Sequence, residues 1–198
     1  MCAAAVCLIL PAPAFAQQVG VKAGINSGSI TPLEGQTPDI SRHLGPVGGI
    51  WVRTLPAGRV SFQAEGLFSE KGVHWDFPPF VSFDIRVRYF EIPLLARADF
   101  GSPASTTRIF AVGGAAPAFK LSARTTTEFE GQKVTRDSDD DVYGVDLGLV
   151  GGLGLELGRA RVEARYTHGL RHINTDDNGD ADRMRNRVFS VTLGFRLR

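Results

Sequence analysis

Apolar and polar residues alternate along most of the chain after its first seventeen residues. In the stretch YFEIPLLARADF (residues 89–100), Phe90 and Ile92 begin one face of an extended chain, and Glu91 and Arg97 fall on the opposite face. A period of two is that of a β-strand, in which successive side chains point to opposite faces of a sheet. The charges therefore lie behind the apolar face and do not interrupt the strand.

Eight segments share this alternation, and no segment has a convincing helical period. Several exceed the roughly 5 to 6 residues of a typical globular strand and reach the about 9 to 11 residues that cross a membrane at a tilt. The predicted strands are residues 18–26, 44–55, 59–71, 84–99, 106–122, 141–157, 160–170 and 186–198.

The predicted connections alternate between long and short. The long ones are residues 27–43, 72–83, 123–140 and 171–185, and the short ones are 56–58, 101–106 and 158–159. Long loops on one rim and short turns on the other are typical of outer-membrane barrels. The pattern predicts an all-β fold, an eight-stranded antiparallel up-and-down transmembrane β-barrel with the long loops outside the cell.

The N-terminal segment MCAAAVCLILPAPAFAQ has the character of an export signal. It is apolar but too short to span a bilayer as a helix, which needs about 20 residues. Ala14 and Ala16 satisfy the small-x-small rule for cleavage. We therefore predict a signal peptide at residues 1–16 and a barrel domain at 17–198. Both cysteines, Cys2 and Cys7, lie in the signal, so the mature domain has no disulfide or thiol chemistry.

Export, together with a polar face built from Gly, Ser, Thr and balanced charges, favours an apolar face directed to lipid and a polar face directed to a narrow lumen. Five acidic and five basic residues occupy the polar face. Buried charges are costly unless they are paired, so this equality suggests a lumenal ion-pair network. A solvated sheet face is the alternative. The network residues would be Lys22, Glu65, Glu91, Arg97, Asp146, Glu156, Arg161, Glu163, Arg165 and Arg196.

Aromatic residues near strand ends suggest the girdles that mark the two interfaces of a membrane barrel. Ordinary sheet cores contain such residues too, so they only support the membrane interpretation. The candidates are Trp51, Tyr89, Phe90, Tyr143, Tyr166, Phe189 and Phe195.

Two stretches, VSFQAEGLFSEKG (60–72) and RYFEIPLLARADFG (88–101), resemble paired strands of the PorT-like outer-membrane β-barrel family, also called porin family proteins. The resemblance implies a membrane barrel fold but does not establish a pore. The matching positions are Glu65, Leu67, Phe68, Ser69, Lys71 and Gly72 in the first stretch, and Tyr89, Glu91, Ile92, Pro93, Leu94 and Leu95 in the second.

Candidate chemistry is sparse. His168 and His172 are four residues apart, but in a strand that runs into a loop this spacing does not align them as it would on a helix. The acidic loops 136–141 and 174–182 lack the order of ligands of an EF-hand. We predict no catalytic residues, no cofactor and no metal. The net charge of +1 gives no indication of a nucleic-acid partner.

The sequence therefore predicts a monomeric outer-membrane protein of structural or interaction type without a wide pore, in contact with outer-membrane lipid and inserted by the barrel assembly machinery. One alternative is a soluble periplasmic lipocalin-like barrel that binds a small apolar ligand. Another is an outer-membrane lipid-modifying enzyme that uses His168 or His172 with a nearby serine.

Overall fold

The computed structural model describes residues 18–30, 39–54, 58–77, 81–102, 105–129, 132–137, 143–170 and 186–198. In this part of the chain, no helix has the length and apolar character needed to span a membrane. The strands are β1 (Gln18–Ile30), β2 (Asp39–Arg53), β3 (Val60–Phe77), β4 (Val81–Glu91), β5 (Leu94–Phe100), β6 (Thr107–Phe129), β7 (Gln132–Asp137), β8 (Val145–Leu157), β9 (Ala160–Gly169) and β10 (Asn186–Arg196).

The sheet closes on itself. Strands β4 and β5 form one wall of the barrel, because both pair with β3 on one side and β6 on the other. The ladder continues past Pro93, whose carbonyl accepts a hydrogen bond from the Glu65 amide at 3.0 Å. Strand β1 pairs with β10 from Gly20↔Arg196 to Ile30↔Asn186, which completes the ring. The predicted eight-stranded antiparallel barrel is confirmed, with β7 as an additional strand paired to β6.

The apolar face of the barrel points outward. Phe62 and Leu193 are 69% and 68% exposed, whereas their neighbours Ser61 and Thr192 are buried inside. A monomeric soluble protein rarely exposes so continuous an apolar surface, and a barrel in lipid requires it. In the described residues the lumen holds buried charges beside small apolar clusters, such as Leu95, Phe110 and Val112, and it does not have the continuous apolar lining that the lipocalin-like alternative requires.

The strands continue beyond the apolar band on the long-loop side. Phe68 on β3 and Phe90 on β4 are exposed outward positions, and Glu70 and Arg88 are the next outward positions towards the long loops. Much of the predicted loops 27–43, 72–83 and 123–140 is therefore strand, which corrects the expected boundaries. Beyond this band the outward face is polar, whereas inward side chains of β4 and β6 still form an apolar cluster of Val87, Tyr89, Ala118 and Ala123. The predicted strands ended where the outward face loses its apolar residues. The predicted loop 171–185 lies outside the described residues.

The tight connections lie at the opposite rim. Gly158 and Arg159 alone join β8 to β9. Gly58 and Gly158 have φ angles of 71° and 61°. Residues other than glycine rarely adopt this left-handed backbone conformation, so these two glycines permit the short turns that the sequence predicted.

Two of the seven predicted girdle aromatics are wrong. Trp51 and Tyr89 are each 1% exposed and lie in the lumen. Alternation does not distinguish the two faces at Trp51, because its neighbours Ile50 and Val52 are also apolar. In the lumen, Trp51 lies beside Arg161 and Tyr89 lies beside Lys71. The other five point outward and are 41–47% exposed: Phe90, Tyr143, Tyr166, Phe189 and Phe195.

Candidate functional site: the lumenal charge network

All ten residues that the sequence placed on the polar face lie on the lumen side of their strands. Nine of them are buried, and Arg196 is half-buried at the rim of the short turns. They do not form one continuous network. They divide into a central cluster, a cluster at the turn-side mouth and a group nearer the long-loop side.

The central cluster consists of Lys22, Glu65, Glu163 and Arg165. Lys22 Nζ lies 3.1 Å from Glu65 Oε2 and 3.8 Å from Glu163 Oε2. The Arg165 guanidinium donates to both oxygens of Glu65, at 2.6 and 2.7 Å, and also binds Glu163. Two cations and two carboxylates are thus held together out of water, with charges that cancel.

The central cluster joins opposite walls of the barrel. Glu65 is on β3 and Arg165 is on β9, and four strand-to-strand steps separate these strands in either direction around the ring. Their hydrogen bonds therefore cross the full width of the lumen. The fully buried carboxylate of Glu65 and the nearly buried guanidinium of Arg165 leave little free space at this level.

A second bridge between the same two strands supports the cluster. Gln63 Nε2 donates to Glu65 Oε1 at 2.5 Å, and Gln63 Oε1 accepts from Arg161 Nη1 at 3.1 Å. The Arg161 guanidinium stacks over the Trp51 ring, 3.9 Å from its centre. Trp51 is fixed in turn, because its indole N–H donates to the Val21 carbonyl at 3.3 Å. Sequence reasoning missed Gln63 and Trp51, although Gln63 lies on the predicted polar face of β3.

The turn-side cluster is rich in arginine. Arg97 Nη2 donates to Asp99 at 2.6 Å and to Glu156 at 2.8 Å. Arg108 binds the other oxygen of Glu156 at 2.8 Å, and Arg53 lies 3.3 Å from Asp99. Arg196 lies 3.8 Å from Glu156, and the Arg97 guanidinium stacks 3.7 Å from the centre of the Phe110 ring. The sequence analysis did not list Arg53, Asp99 or Arg108.

The group nearer the long-loop side is separate. Lys71 Nζ lies 2.6 Å from Glu91 Oε1 and 5.0 Å from the centre of the Tyr89 ring. Asp146 accepts a hydrogen bond from the Leu147 amide at 2.8 Å. A cavity of about 20 Å³ lies between Lys71 and the central cluster, which is room for about one water molecule.

A polar patch occupies the outer surface beyond the apolar band. His43 lies 3.5 Å from Glu70 and 3.6 Å from Asp84, while Arg88 binds Glu70 at 2.9 Å and Arg86 binds Asp84 at 2.7 Å. Burial alone would raise the pKa of the Glu70 carboxyl, but hydrogen bonds from Arg88 and His43 lower the pKa below its usual value. These contacts join β2, β3 and β4 where the strands leave the membrane.

The histidine of the enzyme alternative has no nucleophile as a cross-strand partner. His168 pairs with Leu149 on β8 and Arg187 on β10, and its ring centre lies 6.5 Å from that of Tyr166. His172 lies outside the described residues. Within the described ranges, no group of three His, Cys, Asp or Glu residues could hold a metal ion.

Solved outer-membrane barrels align with nearly the whole chain at low identity. The attachment invasion locus protein Ail of Yersinia pestis is 12% identical, with 91% of this chain and 98% of Ail covered and a TM-score of 0.46. OprG of Pseudomonas aeruginosa is 13% identical, with 91% of this chain and 94% of OprG covered and a TM-score of 0.45. Neisserial surface protein A is 14% identical, with 90% of this chain and 96% of that protein covered and a TM-score of 0.42.

Sequence comparison identifies the family directly. Among curated proteins, none matches the chain in sequence. The family model for the outer membrane protein beta-barrel domain, however, matches residues 15–174, which is most of the chain. This match agrees with the closed ring, the outward apolar band and the charged lumen described above. The chain belongs to the outer membrane protein β-barrel domain family.

Proposed function

We propose that this protein is an integral outer-membrane barrel of structural or interaction type whose lumen does not conduct solutes. One observation carries the proposal: the hydrogen bonds between Glu65 and Arg165 join opposite walls at the centre of the lumen. An eight-stranded barrel is narrow enough for side chains to fill it. Here the filling side chains are held by ion pairs, and the lumen is expected to stay closed.

The composition of the central cluster supports a permanent closure. Burying an ion pair is unfavourable unless its geometry is good and the remaining donors and acceptors are satisfied. Glu65 meets this condition, because Lys22, Arg165 and Gln63 all donate to it. Solutes would have to break several of these contacts together.

The surface beyond the membrane supports an interaction role. The hairpins of β3 with β4 and of β6 with β7 continue past the apolar band, so a paired β-surface extends outward. We infer that this surface, with the connections around it, faces the outside and meets partners there. Lipid surrounds the band, the signal at residues 1–16 directs export, and the barrel assembly machinery inserts the chain as a monomer. The two quoted strand motifs favour the PorT-like subtype.

Planar-bilayer recording of the refolded barrel tests the closed lumen. Wild type should show no steady conductance. The double variant Glu65→Ala/Arg165→Ala should show channels, because it removes both members of the bridge across the lumen. One negative and one positive charge are lost together, so neither of these residues leaves the other unpaired. Glu128→Ala is the matched control, since Glu128 pairs with Lys133 on the exposed hairpin. Steady wild-type channels of the size seen in the double variant would contradict a closed lumen.

Cell fractionation tests the location independently. The protein should be recovered in the outer-membrane fraction and should migrate faster on a denaturing gel before heating than after it, as a folded barrel does. Recovery in the soluble periplasmic fraction would contradict the membrane assignment whatever the conductance result.

A further inference from the structure

The turn-side mouth of the lumen carries an excess of positive charge. Four guanidinium groups pair with two carboxylates there, which leaves a surplus of two positive charges among the described residues (4 − 2 = 2). The undescribed short connections 55–57 and 103–104 read Leu-Pro-Ala and Pro-Ala and add no charge. The cations are Arg53, Arg97, Arg108 and Arg196, and the acids are Asp99 and Glu156. Arg161 binds Gln63 beside the central cluster and is the neighbouring guanidinium on β9.

Hydrogen-bond donors are unpaired in the same region. Arg97 Nη1, Arg108 Nε, Arg161 Nη2 and the Ser61 hydroxyl are shielded from solvent and have no hydrogen-bond partner. Arg97, Arg161 and Ser61 are more than nine-tenths buried as whole residues. Two of the three unpaired guanidinium nitrogens among the described residues therefore belong to arginines that bind Glu156.

Two of these donors belong to arginines that bind the same carboxylate. Glu156 binds both Arg97 and Arg108, and Arg161 is its directly paired residue on β9. Ser61 is the directly paired residue of Arg97 on the opposite side. Leaving a buried charged donor unpaired costs more than leaving a neutral one unpaired, so this arrangement favours an additional acceptor with negative charge.

We propose that the turn-side mouth binds a small oxyanion of the phosphate class. Guanidinium groups match phosphate oxygens with two parallel hydrogen bonds, and a ring of arginines is the usual lining of anion-selective sites. A water molecule would accept hydrogen bonds but would leave the two surplus charges uncompensated. An anion supplies both the acceptors and the charge.

Access to the site is from the rim. The side chains of Arg108 and Arg196 are 21% and 25% exposed, whereas that of Arg97 is fully buried. The unpaired atoms are covered, so binding of the anion requires Arg108 or Arg196 to move aside. The central cluster lies beyond the site and prevents passage, so the site binds the anion without transporting it.

Titration of inorganic phosphate into the full barrel, refolded in micelles of an uncharged detergent, tests the proposal. Calorimetry at constant ionic strength should show saturable binding, and phosphate should raise the unfolding temperature. Arg108→Met should weaken binding by about tenfold, the value of one charge-assisted hydrogen bond. Ser61→Ala should also weaken it, and this change is small enough to leave the barrel folded if Arg108→Met does not refold.

Glu156→Gln separates an anion site from a purely structural cluster. Removing this acid raises the surplus charge, so phosphate should bind several times more tightly even though the variant loses a buried ion-pair partner. Arg88→Gln, on the outer surface, is the control and should bind like wild type. The proposal is overturned by the absence of saturable binding in wild type, or by equal binding in wild type, Arg108→Met and Glu156→Gln.

The phosphate group could come from free phosphate or from a lipid headgroup. Short-chain phosphatidylglycerol, titrated into the same micelles, distinguishes these sources. Competition between the lipid and inorganic phosphate, abolished by Arg108→Met, would identify a headgroup site. Binding of inorganic phosphate alone would identify a site for the free anion, and binding of neither would refute the site.

Discussion

Removal of the Glu65 charge should destabilise the barrel strongly. Glu65→Gln keeps the shape of the side chain but leaves Lys22 and Arg165 with only Glu163 as a counter-charge. The carboxylate of Glu65 is fully buried, so water cannot replace the lost partner. Breaking a buried ion pair by removing one member typically costs about 3–5 kcal/mol, and we expect a loss in this range.

The companion double variant makes the reasoning quantitative. Glu65→Gln/Arg165→Met restores equal numbers of charges, because Lys22 and Glu163 remain. Its cost should fall below the sum of the two single costs by about 1–3 kcal/mol, the coupling expected for residues in direct contact. Glu128→Gln is the exposed control and should cost no more than about 1 kcal/mol, since its partner Lys133 is 66% exposed.

Urea unfolding in phospholipid vesicles provides the measurement. The chain has two tryptophans, and Trp51 lies within the lumen, so fluorescence follows the environment of the network. The folded barrel migrates faster than the unfolded chain on an unheated gel. The loss of this fast-migrating band with increasing urea should give the same urea midpoint as the fluorescence. A cost below 1 kcal/mol for Glu65→Gln, or additive costs in the double variant, would refute the idea that these charges depend on one another.

Three further changes test other parts of the barrel. Leu193→Arg, which places a charge in the apolar band, should cost about 2–4 kcal/mol in vesicles, and an unchanged urea midpoint would contradict a lipid-facing position. Gly154→Ala should cost about 1–3 kcal/mol in the same assay, because the added methyl would overlap the Phe110 ring; a neutral effect would show that the ring moves freely. The lowered pKa of Glu70 predicts a stabilising contribution that is complete above the unfolded-state pKa of about 4.3 and disappears as the pH falls through the lower folded-state value. Glu70→Gln should therefore lower stability at neutral pH, and the difference from wild type should vanish in acid; a difference that persists there would exclude the carboxylate as its cause.

The strands and their facing could be predicted because the membrane imposes a strict period of two. On β5, Leu94 and Ala96 are exposed towards lipid while Leu95 and Arg97 are buried in the lumen, and the charge of Arg97 indicates which face is inward. The same rule failed for Trp51, because Ile50, Trp51 and Val52 are all apolar and do not distinguish the two faces. It also failed beyond the membrane, where Thr126 and Thr135 form a cross-strand hydroxyl contact at 3.1 Å in a region predicted as loop.

The partners within the lumen could not be predicted. Glu65 and Arg165 are 100 residues apart, and their contact depends on the register and tilt of every strand between them. Asp99 and Arg53 were overlooked because they lie at the ends of their strands, where alternation is weakest. Alternation identifies which charges face inward, but only the closed ring determines which of them meet.

The cross-lumen contacts have a consequence for how the chain folds. Lys22 lies on β1 and Arg165 on β9, the strands on either side of β10, so the central cluster forms beside the β1–β10 seam that joins the two ends of the chain. Until this seam is formed, these charges can remain hydrated. Closure of the ring and dehydration of the charges are therefore one event. Partly closed barrels keep an open, wet interior, and contacts so distant in sequence make the final step slow and cooperative.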